Sequence, residues 1–155
     1  MTTMTRTAPT SGVSAETSAT ADSIDPRAQI GLTLLRVVVG GVFLAHGAQK
    51  LFVFGLGGVA GAFEGMGVPL PGLMGPAVAF AEFFGGAALV LGLFTRSAAA
   101  VLATVMLGAI VWVHLPGGFF APDGVEFVLT LFAAAVALAL SGAGSLSVDA
   151  VRRRR

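Results

Sequence analysis

Residues 30–54 read IGLTLLRVVVGGVFLAHGAQKLFVF, an almost unbroken apolar run interrupted by Arg36, His46 and Lys50. A helix needs about 20 such residues to cross a hydrocarbon layer of about 30 Å, so this stretch is long enough to span a bilayer. Three more apolar runs follow, at about 75–94, 98–115 and 125–141. Only 11% of the 155 residues are charged and 55% are hydrophobic, against about 25% charged in a soluble domain. The fold class expected is therefore all-α, a four-helix transmembrane bundle. The short Thr95-Arg96-Ser97 turn makes the second and third spans antiparallel neighbours.

Outside the spans the chain changes character. Residues 1–29 are rich in Thr, Ser and Ala with charges of both signs and no apolar periodicity, and they read as a disordered tail. The bundle domain is expected over 30–148 and a basic tail over 149–155. The intervening 55–72 segment places Val59, Ala60, Phe63 and Met66 at helical spacing before Pro69 and Pro71, which predicts a short helix near the mouth of the bundle. Small residues at Ala81, Gly85, Ala88 and Gly92, and at Ala133, Ala137 and Ser141, suggest helix seams in the second and fourth spans.

Basic residues outside the spans all fall at one end: Arg6 and Arg27, Arg96, and the Arg152–Arg155 cluster. The loops at the other end, about 55–74 and 116–124, contain no Lys or Arg, so both termini are expected in the cytoplasm. Trp112 suits an anchor at the outer interface. With no cysteine in the chain, disulfides, thiolate metal sites, cysteine-ligated iron–sulfur clusters and dithiol relays are excluded. No redox cofactor is expected to be bound covalently or through cysteine. The partners expected are the lipid bilayer and either another protein or further copies of the chain, without nucleic acid.

Charged groups inside a bilayer are costly, which makes each one a candidate for function. At 100° per residue Arg36, His46 and Lys50 fall within an arc of about 80°. That face is expected to point inward. With a rise of about 1.5 Å per residue, His46 lies about 12 Å below the outer end of its helix and Glu82 about 10 Å below the start of its own, so they can meet. His114 and Glu126 belong to the same end. The candidate polar site is thus Arg36, His46, Lys50, Glu82, His114 and Glu126. It can be a structural ion-pair network or a pocket for a polar head group or proton. Arg36 alone lies near the cytoplasmic end, where it is expected to snorkel to the interface or to pair with Asp149. A haem held by both histidines is disfavoured by their depths, which differ by about 10 Å, and no metal-site spacing is present.

Leu35-Arg36, His46-Gly47-Ala48-Gln49-Lys50-Leu51, Phe63-Glu64-Gly65-Met66-Gly67-Val68-Pro69, Glu82-Phe83-Phe84-Gly85-Gly86, Leu91-Gly92-Leu93-Phe94-Thr95-Arg96, Met106 to His114 and Ser145-Leu146-Ser147-Val148-Asp149 follow one another in an order that resembles the DoxX family. The likeness covers roughly residues 30–150. It implies a four-helix protein of the bacterial inner membrane, in a family named for a subunit linked to thiosulfate:quinone oxidoreduction and terminal quinol oxidation. Other members resemble membrane partners of redox-stress enzymes. The matching polar residues are Arg36, His46, Lys50, Glu82 and His114, to which the family assigns no settled catalytic role. Three functions follow as expectations. The first is a membrane subunit of a quinone-linked oxidoreductase or redox-stress complex, with His46, Lys50 and Glu82 contacting a quinone head group. The second is a proton-coupled carrier of a small molecule, and the third a scaffold that recruits soluble enzymes.

Overall fold

The structure, a computed structural model, describes residues 25–153 and 155. The described residues form six α-helices and no strand: α1 (Pro26–Ala48), α2 (Gly55–Gly65), α3 (Pro71–Leu91), α4 (Thr95–Ala109), α5 (Glu126–Ser141) and α6 (Val148–Arg153). A wide π turn, Gln49–Phe54, continues α1, and a second one, Ile110–His114, continues α4 into a 3-10 turn at Leu115–Gly117. The segments Pro26–Gly65, Pro71–Leu91 and Thr95–Gly117 are long and apolar enough to cross a membrane. The apolar α5 has 16 residues, about 24 Å of helix, and packs as the fourth member of a transmembrane bundle. Leu34, Val38, Phe52, Phe84 and Leu140 lie exposed on its flanks, as they do where hydrocarbon rather than water is the solvent.

Within the bundle α1 lies along α3, α4 packs against α3 and α5, and α1 meets α5 only lightly. Val39, Phe43, Leu89, Leu102, Met106, Val128, Leu131 and Leu138 form the core. The α1–α3 contact is backbone against backbone. A Cβ on Gly40 would stand 2.8 Å from the Leu89 Cβ and 2.9 Å from the Gly86 carbonyl oxygen. One on Gly47 would run into the Phe83 backbone, and one on Gly86 into the Leu44 backbone. Lipid tails are as apolar as leucine, so association depends on close packing of this kind.

The seams differ in detail from the small-residue stripes expected. Gly86 rather than Gly85 meets α1, while Gly85 faces Leu102 of α4. Ala133, Ala137 and Ser141 of α5 are exposed, and the face buried is Val128, Leu131, Ala135 and Leu138. In α5 the inward face is mostly large aliphatic residues with Ala135 among them, and the three small residues expected at the seam lie on the other side of the helix.

Helix boundaries also move, each for a local reason. Residues 1–24 of the expected tail lie outside the described residues. Residues 26–29 are not tail but the first turn of α1, because Asp25 accepts from the Arg27 N–H at 2.9 Å and Pro26 sits at the first helical position. Helix α3 begins at Pro71 for the same reason of a pre-set φ and ends when Gly92 turns left-handed at φ 68°. The predicted short helix appears as α2, and its Val59 and Ala60 pack beside Gly75 of α3. The expected basic tail from 149 is in its first part the helix α6, with Ala150 buried.

Helix α6 is fastened to the bundle at the end where α1 begins. The Asp149 carboxylate accepts from the Phe94 N–H at 2.9 Å and the Thr95 N–H at 3.0 Å, capping the start of α4. The Asp149 N–H donates to the Gly92 carbonyl at 2.9 Å, and the Gln29 side-chain oxygen accepts from the Ser145 N–H at 2.7 Å. Arg36 is 2% exposed and does not snorkel. Its Nη1 donates to the carbonyl oxygens of Leu89 at 2.8 Å and Val90 at 3.3 Å, and its Nη2 to that of Leu146 at 2.7 Å. The guanidinium thereby adds donors to carbonyls in the last turn of α3, where the helix itself supplies at most the Gly92 N–H to Leu89. A cation at this negative end of the helix dipole is also favoured. Gly92 has no side chain because one would occupy the place of the guanidinium. Asp149 acts on Arg36 through space without a direct ion pair.

Two outcomes follow. Gly47→Ala is expected to cost at least about 2 kcal/mol in thermal unfolding, because the added methyl meets backbone that cannot yield. Gly41→Ala, where an added Cβ meets nothing within 4 Å, is expected to stay within about 0.5 kcal/mol of the parent. Partial burial pushes the Asp149 carboxyl up, but the Thr95 and Phe94 N–H groups and Arg153 outweigh it and hold it below the usual carboxylate range. Its contribution is therefore fully present above the unfolded value of about 3.9 and is lost as pH falls through the lower folded value. Asp149→Ala is expected to cost about 1 kcal/mol at neutral pH, and the gap from the parent should close in acid; paired unfolding curves across this range measure it.

Candidate functional site

The opposite end of the bundle holds the one ion pair among the described residues, between Lys50 Nζ and Glu82 Oε2. Lys50 lies in the π turn that ends α1, and Glu82 projects from the middle of α3 across the glycine seam. Glu82 is 3% exposed as a residue, and the Lys50 side chain is 19% exposed. The pair thus has a covered acid and a base that reaches partly to the surface. Gly47, one turn earlier in α1, brings the helices close enough for the two to meet, since its Cα lies against the Phe83 backbone.

His46 takes a different position from the one its phase suggested. The buried face of α1 is Arg36, Val39, Gly40, Phe43 and Gly47. At 100° per residue Lys50 falls about 40° from Arg36 and His46 about 80°, at the margin of that face. His46 is accordingly exposed. Its ring lies 6.2 Å from that of Phe127 at the start of α5. With Ala45 and Gln49 it lines a shallow, open groove, on the side of α1 where α5 stands off. Lys50 is one turn further along the same helix.

His114 and Glu126 serve the loop between α4 and α5. His114 Nδ1 is 3.1 Å from the Asp123 carbonyl oxygen, and Glu126 Oε1 accepts from the Ala121 N–H at 2.7 Å. Of the six candidates, then, the structure joins Lys50 and Glu82 directly and sets His46 beside them on the surface. It gives His114 and Glu126 separate loop partners and places Arg36 at the far end. Gln49 and Phe127 enter the site without having stood out in the sequence. Gln49 could have been found from its place between His46 and Lys50, whereas the approach of Phe127 depends on the tertiary arrangement.

The aromatic side chains near the pair form a second feature. Phe52 and Phe83 meet edge to face at 5.7 Å, Phe83 and Phe84 at 5.2 Å, and Phe80 stacks on Phe84 at 6.1 Å. This shelf lies beside the turn that carries Lys50. Chemically, the end of the bundle offers a cation that can donate to an oxygen, a carboxylate that can take its proton, and an imidazole reachable from the surface. Among the described residues no group of three His, Asp or Glu side chains is arranged to hold a metal ion.

Comparison with known proteins places this arrangement in context. A protein of Bacillus subtilis named "Putative oxidoreductase CatD" is 35% identical over 121 residues, covering 78% of this chain and 86% of its own length. An uncharacterized protein of Haemophilus influenzae is 33% identical over 122 residues, covering 76% and 87%. An uncharacterized membrane protein of Mycobacterium tuberculosis is 35% identical over 127 residues, covering 74% and 77%. No solved structure matches the chain. The DoxX family model matches residues 31–115, more than half of the sequence, and takes in Arg36, Lys50, Glu82 and both π turns. With that match and relatives aligned over most of their length, this four-helix membrane protein belongs to the DoxX family.

Proposed function

We propose that the protein is the membrane subunit of a quinone-linked oxidoreductase or redox-stress complex, and that it receives the quinone head group at the Lys50–Glu82 end of the bundle. The observation that carries this reading is the ion pair itself, a covered carboxylate joined to a partly exposed ammonium within two segments long and apolar enough to cross a membrane, one turn from the shallow depression that His46 lines. Ionisable groups inside a membrane tend to mark substrate or proton pathways. The relative named "Putative oxidoreductase CatD" supports the same class of chemistry.

In this reading Lys50 donates a hydrogen bond to a quinone carbonyl oxygen, and Glu82 holds the proton that Lys50 releases and returns it. His46, on the groove side, exchanges protons with the interface, and the phenylalanine shelf gives the ring an apolar surface. Electrons come from a partner protein, in keeping with a chain that offers no cysteine-based relay. The membrane is the bacterial inner membrane, with both termini and Arg96 in the cytoplasm and the quinone site toward the outer leaflet.

In vesicles, Glu82→Gln is expected to keep the fold but to bind a short-chain quinone at least about tenfold more weakly, a loss of about 1.4 kcal/mol, because the amide keeps the shape without the charge or the proton. Lys50→Met should behave in the same way. A titration that finds unchanged quinone affinity in both folded variants contradicts the proposal. The orientation has its own test: Asp123→Cys, in a chain without other cysteines, should react with an impermeant thiol reagent from outside intact cells. Labelling only after the cytoplasmic face is opened contradicts it.

A further inference from the structure

The ends of the bundle differ in charge as well as in chemistry. At the end remote from the termini the loops offer Glu64 and Asp123, both exposed, and no Lys or Arg. At the terminal end Arg27, Arg96, Arg152, Arg153 and Arg155 are exposed. Among the described residues the acids at that end are Asp25, which caps the first turn of α1, and Asp149, whose carboxylate is held by the N–H groups that open α4 and lies in the field of Arg153, so two carboxylates stand against five exposed arginines.

Arg152 and Arg153 belong to α6 rather than to a free tail. Helix α6 is tied through Asp149 to Gly92, Phe94 and Thr95, and the strand of chain before it is tied through Leu146 to Arg36 and through Ser145 to Gln29. The Arg152 guanidinium carbon lies 5.2 Å from the centre of the Phe94 ring. Arg96, two residues along the same turn, lies against Gly142 at the end of α5. Around them Leu91, Phe94, Leu146, Val148 and Val151 are exposed. On α6 the exposed Val148, Val151 and Arg152 share one side, while Ala150 turns toward the bundle. Apolar side chains and guanidinium groups thus stand together, at fixed positions, where the spans leave the membrane.

We infer that this end of the bundle, built from α6 and the α3–α4 turn, is a preformed binding surface for anionic lipid head groups of the adjoining leaflet. The exposed aliphatic residues and Phe94 sit at the acyl boundary, and Arg96, Arg152 and Arg153 contact head-group phosphates, which guanidinium groups match in shape and charge. A mobile basic tail would have to be ordered on binding; here Arg36 and Asp149 have already ordered the helix that carries the cations. The partner is a membrane surface rather than a protein, because apolar side chains and arginines lie together at the boundary of the spans, as in helices that lie in the interface.

The test uses the full chain in nanodiscs of phosphatidylcholine alone and of phosphatidylcholine with one quarter phosphatidylglycerol, with the unfolding midpoint as the readout. Phosphatidylglycerol should raise the midpoint of the parent by several degrees, and the shift should shrink as salt is raised. The combined variant Arg96→Gln, Arg152→Gln and Arg153→Gln should lose most of that shift, whereas Arg152→Lys with Arg153→Lys should keep most of it and so separate charge from any effect on folding. Equal midpoints for the parent in both lipids would overturn the inference. So would a full shift in the glutamine variant, or an equal rise produced by inorganic phosphate in discs of phosphatidylcholine alone.

Discussion

The close approach of α1 to α3 is the constraint on which the rest of this bundle depends. Gly40 and Gly47 on one helix and Gly86 on the other remove the side chains that would hold the backbones apart. With the helices this near, a lysine from α1 reaches a glutamate in the middle of α3 at one end of the seam, and an arginine from α1 reaches the last carbonyls of α3 at the other. Both polar contacts cross the same interface. In lipid, where apolar surface alone gives little preference for one helix partner over another, backbone proximity and interhelical polar contacts select the arrangement.

The two polar contacts differ in what they leave over. Arg36 is enclosed and directed at carbonyl oxygens, and its partners Leu89, Val90 and Leu146 are backbone groups fixed by the fold. It fastens α1, α3 and the chain before α6 to one another, which is a structural role. Lys50 is only partly covered, and its partner is a side chain that can change protonation. A shallow surface depression lined by Ala45, His46 and Gln49 lies one turn before it on α1. A charge pair made of side chains, one of them partly exposed, is where exchange with a ligand can occur. Arg36 offers no such opening.

Much of the architecture was legible in the sequence, because apolar runs of span length separated by turns and glycines admit few alternatives to a transmembrane helix bundle. The approach of Glu82 to the outer part of α1 was also within reach, although helical rise matched it with His46 and the structure pairs it with Lys50, one turn further along. His46 was misjudged: an arc of about 80° is wide enough that its far edge leaves the interface. The fates of His114 and Glu126 depend on the fold of residues 115–125, which no periodicity describes, and both are taken up by backbone groups of that loop. Arg36 looked like an interfacial residue because distance along the helix says nothing about burial. Its receptor is built from the ends of two other segments, and the nearest signals were Gly92, read as part of a helix seam, and Asp149, read as a direct partner of the guanidinium, whereas the partners are backbone carbonyls.

The central claim is that Lys50 and Glu82 act as one unit across the α1–α3 seam, and a double-mutant cycle on unfolding stability in lipid tests it most directly. Glu82→Gln, Lys50→Met and the combined variant would be compared with the parent under one set of conditions. If the groups are coupled, each single change leaves a charge without its partner, and the combined variant should lose at least about 1 kcal/mol less than the sum of the single losses. Losses that simply add, within about 0.3 kcal/mol, would contradict the account.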